Sequence, residues 1–244
     1  MDAYTILWAD LMILKRRMTR YLLTTLVSPL LYLFAFGWGL GRGICVEGSS
    51  YLEFVIPGII ALTAMNSSFT GAGTRLNVDR LFFKSFDELL MAPIGTLSLV
   101  FGKAMIGVFR GLVSSLAFLC VAFLLSPTFH VGPLFVVSLL LTCLSFSFLG
   151  VLAAILAKSH EDMGTFSSLI LLPMTFLAGT FFSVSQVPEA LKLGLYALPL
   201  THSSLCLRAA ALGQPFPWAS LAAIFLFAAV FLAGCLLTLR RISE

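Results

Sequence analysis

Charged residues fall in clusters along this chain, and between the clusters lie long apolar stretches. Residues 21–41 and 54–74 are uncharged, and 111–157 is uncharged apart from His130, with the turn-rich string SPTFHVGP at 126–133 dividing it. Residues 163–188 carry no charge either, and the last such run, 209–239, is broken early by GQPFP at 213–217. About twenty consecutive apolar residues are what a helix needs to cross a bilayer. The pattern therefore predicts an all-α integral membrane protein with six spans, at 21–41, 54–74, 103–126, 133–157, 163–182 and 218–239. A membrane barrel would show segments of about ten residues alternating apolar and polar, and that period is missing.

Composition agrees, since 59% of the 244 residues are hydrophobic, 11% are charged and the mean hydropathy is +1.04. A water-soluble domain of this size would have no polar surface to show. The basic residues set the orientation, because loops rich in Lys and Arg stay in the cytoplasm. With the N-terminus inside, Lys15, Arg16, Arg17, Arg20, Arg75, Arg80, Lys84, Lys158, Arg240 and Arg241 are cytoplasmic, against Arg42, Lys192 and Arg208 outside. Both termini are then cytoplasmic. Lys103 and Arg110 start the third span on one face, positioned to snorkel or to face the bundle interior. The net charge of +4 follows from this basic edge and suits anionic lipid headgroups, not nucleic acid.

Two segments outside the spans have helical periodicity. In 1–20, Tyr4, Leu7, Trp8, Leu11 and Met12 precede Lys15, Arg16 and Arg17, a pattern for an amphipathic helix lying in the interface, with an ordinary lead-in as the alternative. No cleavable signal is expected there, as Asp2, Asp10 and the basic residues interrupt any apolar core. In 77–93, Phe82, Phe86, Leu89 and Leu90 form one stripe, with Arg80, Lys84, Asp87 and Glu88 around it and Pro93 at the end. Such a helix either docks into a partner's groove or packs under the bundle.

Four places resemble the integral membrane subunits of ABC-2 type exporters, most closely the branch that includes the nodulation-factor export permease NodJ. They are PLLYLFAFGWGLG at 29–41; YLEFVIPGI at 51–59 with MNSSF at 65–69; FDELLMAPI at 86–94 with Gly102-Lys103; and Phe181-Phe182, Val187-Pro188, Leu198-Pro199-Leu200-Thr201 and Arg208. The resemblance implies a permease that works as a dimer, homodimer or heterodimer, each copy resting on one of two ABC ATPase subunits. ATP and Mg would be held by that partner, with no cofactor in this chain. It implies a coupling helix at 77–93, so that Arg80, Phe82, Phe86, Asp87, Glu88 and Leu89 touch the ATPase, with Glu161 and Asp162 of the second cytoplasmic loop as a smaller contact. It also implies short re-entrant helices at 183–213, before the last span. The pathway would draw on spans one, two and five, with Tyr32, Trp38, Met65, Asn66, Ser67, Ser68 and Thr70 as candidate lining. For any one of these hydroxyls, helix–helix hydrogen bonding is the competing role. The substrate class implied is lipid-linked, saccharide or amphipathic, moved outward.

The chain carries no Gly-x-x-x-x-Gly-Lys-[Ser/Thr] phosphate loop, since Gly102-Lys103 lacks both the upstream glycine and the hydroxyl, so no ATPase activity is expected of it. SSFTG at 67–71 lacks the Gly-x-Ser-x-Gly frame of a hydrolase. An ion-coupled secondary transporter would place an ionisable residue near the midplane; the spans as drawn hold no carboxylate. A structural subunit of a larger complex differs from an exporter only in its partners. Gly37, Gly39, Gly41 and Gly43 supply overlapping Gly-x-x-x-Gly spacings for close helix approach, and Pro29, Pro57 and Pro173 mark kinks or hinges within spans. His130, His160 and His202 read as loop residues, no metal site is expected, and Cys45 and Cys206 both fall outside, where a disulfide is conceivable.

Overall fold

The computed structural model describes residues 8, 11, 12, 14–16, 18–40, 45, 46, 49–83, 86, 95–125 and 129–243. Of the N-terminal segment, Trp8, Leu11, Met12 and residues 14–16 are helical, with Leu14 buried and Trp8 and Met12 exposed. Helix α1, Met18–Tyr32, contains Pro29 and widens into a π-helical stretch, Leu33–Leu40. A two-residue ribbon follows, β1 at Cys45–Val46 pairing antiparallel with β2 at Ser49–Ser50. Ser50 then caps α2, Tyr51–Leu81: its hydroxyl accepts the Glu53 N–H while the Glu53 carboxylate accepts the Ser50 N–H. This reciprocal pair satisfies donors that a helix start leaves open.

Next come α3, Thr96–Leu125, and α4, Pro133–Leu156, which starts on a proline whose missing N–H costs nothing at the first helical position. The following helical run is broken in register. α5, His160–Phe166, passes through a π turn at Ser167–Leu171 into α6, Leu172–Leu177. There the Leu172 N–H bonds the Ser167 carbonyl, five residues back, just before Pro173, which has no N–H to give. A 3-10 turn at Val184–Gln186 leads to α7, Glu189–Tyr196, and α8, Pro199–Leu212, which ends on left-handed Gly213 (φ +66°). The last helix is α9, Trp218–Ser243.

Among the described residues, five stretches are long and apolar enough to cross a membrane: Met18–Gly37, Tyr51–Leu81, Thr96–Leu125, Pro133–Leu156 and Trp218–Arg241. The expected fifth span, 163–182, is not among them, because its helix stops at Leu177 and begins with the acidic turn of Glu161 and Asp162. Expected boundaries are also too tight elsewhere. α2 runs 31 residues, about 46 Å at 1.5 Å per residue, against roughly 30 Å of hydrocarbon. Residues 77–81, assigned from sequence to a separate cytoplasmic helix, are its final turns.

α2 is the centre of the molecule. It packs on α3, α4 and α8, while α9 packs on α4 and α1 lies at the periphery. In its most apolar stretch α2 is 83% buried, against 17% for α1 and for α9, so most of the surface of α1 and α9 is left for lipid or another chain. Close approach is achieved by glycine, as membrane helices lacking a hydrophobic drive between them require. A Cβ on Gly107 of α3 would lie 2.6 Å from Ser68 O and Ser147 Oγ, and one on Gly150 of α4 would lie 2.5 Å from Phe69 O. The working Gly-x-x-x-Gly spacing is thus Gly107 and Gly111. Of the expected set, a Cβ at Gly39 meets nothing nearer than 3.7 Å, one at Gly37 meets the side chains of Leu52 and Leu33, and Gly41 and Gly43 lie outside the described residues.

Candidate functional site: a hydroxyl-lined cleft and a polar lock on one helix

Along α2, positions 63, 66, 67 and 70 share one helical face. That face, Thr63, Asn66, Ser67 and Thr70, forms the back wall of a cleft of ≈ 490 Å³. α1 supplies a second wall through Tyr21, Thr24, Thr25, Ser28, Pro29 and Tyr32, and the α5–α6 run supplies the third through Ser167, Ser168, Leu171, Leu172, Thr175 and Phe176. The third wall includes the π turn at Ser167–Leu171, and the α1 wall ends where the π-helical stretch Leu33–Leu40 begins; this deviation from α geometry concentrates at functional positions. The back wall is unbroken α-helix.

The candidate pathway residues divide by face. Tyr32, Asn66, Ser67 and Thr70 line the cleft. Met65 and Ser68 do not: both are fully buried on the opposite side of α2, where Ser68 Oγ sits against Gly111. The side chain of Trp38 lies outside the described residues. Tyr32 also belongs to an aromatic cluster at one end of the cleft, its ring 5.6 Å from that of Phe181, which stacks on Phe36 at 4.1 Å.

Arg208 holds this end together. Expected in an external loop, it is instead 2% exposed on α8, donating to the carbonyls of Phe54 (3.2 Å), Gly179 (3.0 Å) and Thr180 (3.5 Å), with its guanidinium 3.6 Å from the Phe54 ring centre. Residues 178–182 are non-helical, and Gly179 has a positive φ (+68°), so their carbonyls lack helical partners and a planar fork of donors answers them. Tyr51 Oη adds a bond to Phe181 O at 2.8 Å. His202 is likewise no loop residue: it lies in α8, buried, with Nε2 2.9 Å from Tyr196 O. Cys206 is a free, buried thiol, so the conceivable bond to Cys45 is not made.

The C-terminal end of α2 carries a different chemistry. Asp79, 4% exposed, receives Lys103 Nζ of α3 at 2.7 Å and lies 3.4 Å from Arg75 Nε. The expectation that the spans hold no carboxylate arose from ending the second span at residue 74; Asp79 is a buried carboxylate of that same helix. Arg80 turns to α4 and donates to the carbonyls of Ala154 (3.0 Å), Ile155 (2.6 Å) and Ala157 (2.9 Å), the orphan acceptors of a helix end. Asn77 Oδ1 meets His160 Nδ1 at 3.0 Å, joining α2 to α5.

The candidate ATPase contacts are split by the same geometry. Phe86 is 3% exposed beside Leu76, Leu99 and Ile155, so it packs under the bundle and has no surface to offer a partner. Phe82 is 67% exposed, as is Phe83, which the sequence reading passed over. Arg80 is engaged within the chain. Asp87, Glu88 and Leu89 lie outside the described residues. Glu161 is exposed. Asp162 closes a capping box with Ser159 and also accepts the Lys158 N–H at 2.7 Å; these backbone donors, Lys158 first, hold its carboxyl below the usual aspartate range.

Residues 2–212 match the family described as ABC-2 type transporter. Among curated relatives, the inner membrane transport permease YadH of Escherichia coli K12 is 29% identical over 178 residues, covering 70% of this chain and 69% of the relative. Nodulation protein J of Rhizobium meliloti is 31% identical over 80% of this chain and 75% of that protein, and Nodulation protein J of Rhizobium leguminosarum bv. viciae is 30% identical over 82% and 78%.

Proposed function

We propose that this chain, which belongs to the ABC-2 type transporter family, is the membrane half of an ATP-driven exporter whose substrate passes along the cleft between α1, α2 and the α5–α6 run. It is a multi-pass protein of the bacterial inner membrane. The observation that carries the reading is the cleft itself: an open, uncharged, hydroxyl-rich trough in a bundle that otherwise buries its α2 on every side. A trough open along one side suits closure by a second permease copy.

In this reading the chain crosses the membrane six times with both ends inside, the α5–α6 run making the fifth crossing in chain order beside the five long helices. α7 and α8 form the re-entrant part, where non-spanning backbone is tolerated because protein covers it. Exposed Phe82 and Phe83, with the segment that follows, meet a separate ATPase. ATP binding there draws the two ATPases together, and the push enters through the 82–94 segment and the α4–α5 turn. Because Asp79, Arg80 and Asn77 tie the end of α2 to α3, α4 and α5, that end moves as one unit. The π turn at Ser167–Leu171 and the π-helical stretch that follows α1 supply the give, and the cleft alternates between inward and outward access.

The test is isolation of the tagged permease in nanodiscs, native and with Phe82→Ala plus Phe83→Ala. The native protein brings down an ATPase whose activity depends on the permease, and the double variant loses it while keeping its thermal transition. Recovery of folded native protein without any ATPase would remove the exporter reading and leave an ion-coupled or structural role.

A further inference from the structure

Three helices meet at Tyr21, at one end of the cleft. Its hydroxyl donates to Arg110 O of α3 at 3.2 Å and accepts from Ser114 Oγ of the same helix at 3.0 Å, while the Arg110 guanidinium carbon lies 5.5 Å from the centre of the Tyr21 ring. A helix serine or threonine commonly returns its proton to the carbonyl four residues back, as Thr25 does to Tyr21 O (2.7 Å) and Thr63 to Ile59 O (2.7 Å). For the fully buried Ser114 that carbonyl is Arg110 O, and Tyr21 has inserted itself between the two. The serine gives its proton to the tyrosine, and the tyrosine gives its own to the carbonyl. A hydroxyl that accepts one bond is polarised toward donating the next, so the pair is stronger than either alone. Gly71 of α2 makes room beside them: a Cβ there would lie 2.9 Å from Arg110 Cδ, so the arginine stem passes directly over α2.

The opposite end of the α1 wall meets the rest of the cleft through rings. Phe181 stacks on Phe36 with centres 4.1 Å apart and planes 23° apart, and it lies 5.6 Å from Tyr32. The turn that bears Phe181 belongs to the other side. Arg208 and Tyr51 hold its carbonyls, Ser204 Oγ of α8 adds a bond to Ala178 O at 3.2 Å, and a Cβ on Gly58 of α2 would lie 2.8 Å from Thr180 O. Phe181 is therefore fixed, and Tyr32 and Phe36 ride on α1. Hydrogen bonds weaken steeply with a few tenths of an ångström or a poor angle, whereas ring pairs hold over a range of offsets and tilts. One end of the wall resists displacement and the other slides. Between the two ends α1 has its weak places: Pro29 has no N–H to offer the Thr25 carbonyl, and the π-helical stretch begins at Leu33.

We propose that Tyr21 is the positioning residue of a mobile wall. It is the pivot that holds residues 18–28 on α3 while the part of α1 beyond Pro29 swings, so that Tyr32 and Phe36 part from Phe181 and return to it, opening and closing that end of the cleft. This rests on the cleft being the path proposed above, and it says which wall moves and about what point.

Pulsed electron spin resonance on the full-length permease in nanodiscs, without ATPase or nucleotide, reads the two ends separately. The background carries alanine at the five native cysteine positions and keeps the native thermal transition. Spin labels sit on Leu31→Cys with Leu177→Cys across the Phe181 end, or on Leu23→Cys with Leu169→Cys across the Tyr21 end, all four positions being exposed, and labelled protein is diluted with unlabelled. Phe36→Ala lengthens the Leu31–Leu177 distance and leaves the Leu23–Leu169 distance as it was. Tyr21→Phe, which keeps the ring beside Arg110 and loses both hydroxyl bonds, broadens the Leu23–Leu169 distribution and leaves the other unchanged. Ser114→Ala, which loses one of the two bonds, broadens it less, and it decides the matter if Tyr21→Phe does not fold. A merely structural role would loosen both pairs in each variant, and that result overturns the proposal. So does an unchanged Leu23–Leu169 distribution in folded Tyr21→Phe or Ser114→Ala, an unchanged Leu31–Leu177 distance in Phe36→Ala, or a shift of both pairs together there, which would make α1 a rigid rod. Failure to recover an ATPase with the permease would remove the exporter reading and leave these distances, and the pivot they report, as measured.

Discussion

Two stretches of α2, about two turns apart, use polar side chains in opposite ways. Between Thr63 and Thr70 the bonded polar groups return to their own helix, Thr63 to Ile59, Asn66 to Leu62 and Thr70 to Asn66. Between Asn77 and Arg80 they reach other helices: Asp79 to Lys103 on α3, Arg80 to carbonyls at the end of α4, Asn77 to His160 on α5. A self-bonded wall leaves its neighbours free to move and its outer lone pairs free to bind. A cross-bonded end fixes three helices to one. The same helix is therefore a surface at one place and a joint at another, as a lever acting on a pathway requires.

Removing one partner of the joint is the harshest way to break this contrast. Lys103→Met takes from the buried Asp79 carboxylate its 2.7 Å ammonium partner, and loss of one member of a buried pair costs about 3 kcal/mol or more. Thermal unfolding of the purified protein should show a large drop. Asp79→Leu combined with Lys103→Leu should regain most of it, because the buried carboxylate and the buried ammonium are removed together. Thr63→Val, in the cleft wall, should shift the transition little, since the carbonyl it releases still bonds along the helix. Equal losses for Lys103→Met and Thr63→Val would erase the distinction between joint and wall.

A smaller effect is expected at the helix contact that makes the joint possible. Gly107→Ala places a Cβ 2.6 Å from the Ser68 carbonyl and 2.7 Å from the Ala72 Cβ, and backbone does not give way, so the cost is about 1–3 kcal/mol of overpacking, partly offset by the better helix propensity of alanine. Gly39→Ala, whose Cβ would meet only the Phe34 carbonyl at an ordinary 3.7 Å contact, should be neutral in the same melt. If the two behave alike, α2 and α3 are not held at the spacing that lets Lys103 reach Asp79.

What the sequence made legible, and what it hid, follows the same division. Uncharged run length located the long helices, and proline and glycine located the starts of α4 at Pro133 and α9 at Trp218, because those signals are local. The arc of the cleft on α2 was half visible: a cluster of small polar residues at 65–70 is evident, but only the 3.6-residue period separates Asn66, Ser67 and Thr70 from the buried Met65 and Ser68. The joint was hidden. Charge ends spans in a reading by run length, so Asp79 and Arg80 fall in the separate cytoplasmic helix expected at 77–93, while their partners sit 24 and 74 to 77 positions away. Arg208 escaped for the same reason, its acceptor at Phe54 being 154 positions distant. Phe86 shared a helical stripe with Phe82, and periodicity has no means of telling which of two faces is covered by the rest of the chain.

The mildest perturbation tests the far edge of the joint, the α4–α5 turn. Asp162 accepts backbone N–H groups from Lys158 (2.7 Å) and Ser159 (3.0 Å), and those bonds favour its charged form, lowering its pKa from the ordinary value. A carboxyl whose folded pKa lies below its unfolded one contributes its stabilisation in full above the unfolded value, near 3.9, and loses it as pH falls through the lower, folded one. The amides of Lys158 and Ser159, corrected for intrinsic exchange rates, should therefore keep constant hydrogen-exchange protection from pH 7 to pH 5 and give it up only at pH below the usual aspartate range. Asp162→Ala should remove that protection at every pH, while the amides of the α2 end keep theirs, since Arg80 still binds the α4 carbonyls and Asn77 still meets His160. Loss of protection already at pH 5 would mean that the cap is not what orders this turn, and that the joint ends at α4 without reaching the loop through which the proposed partner pushes.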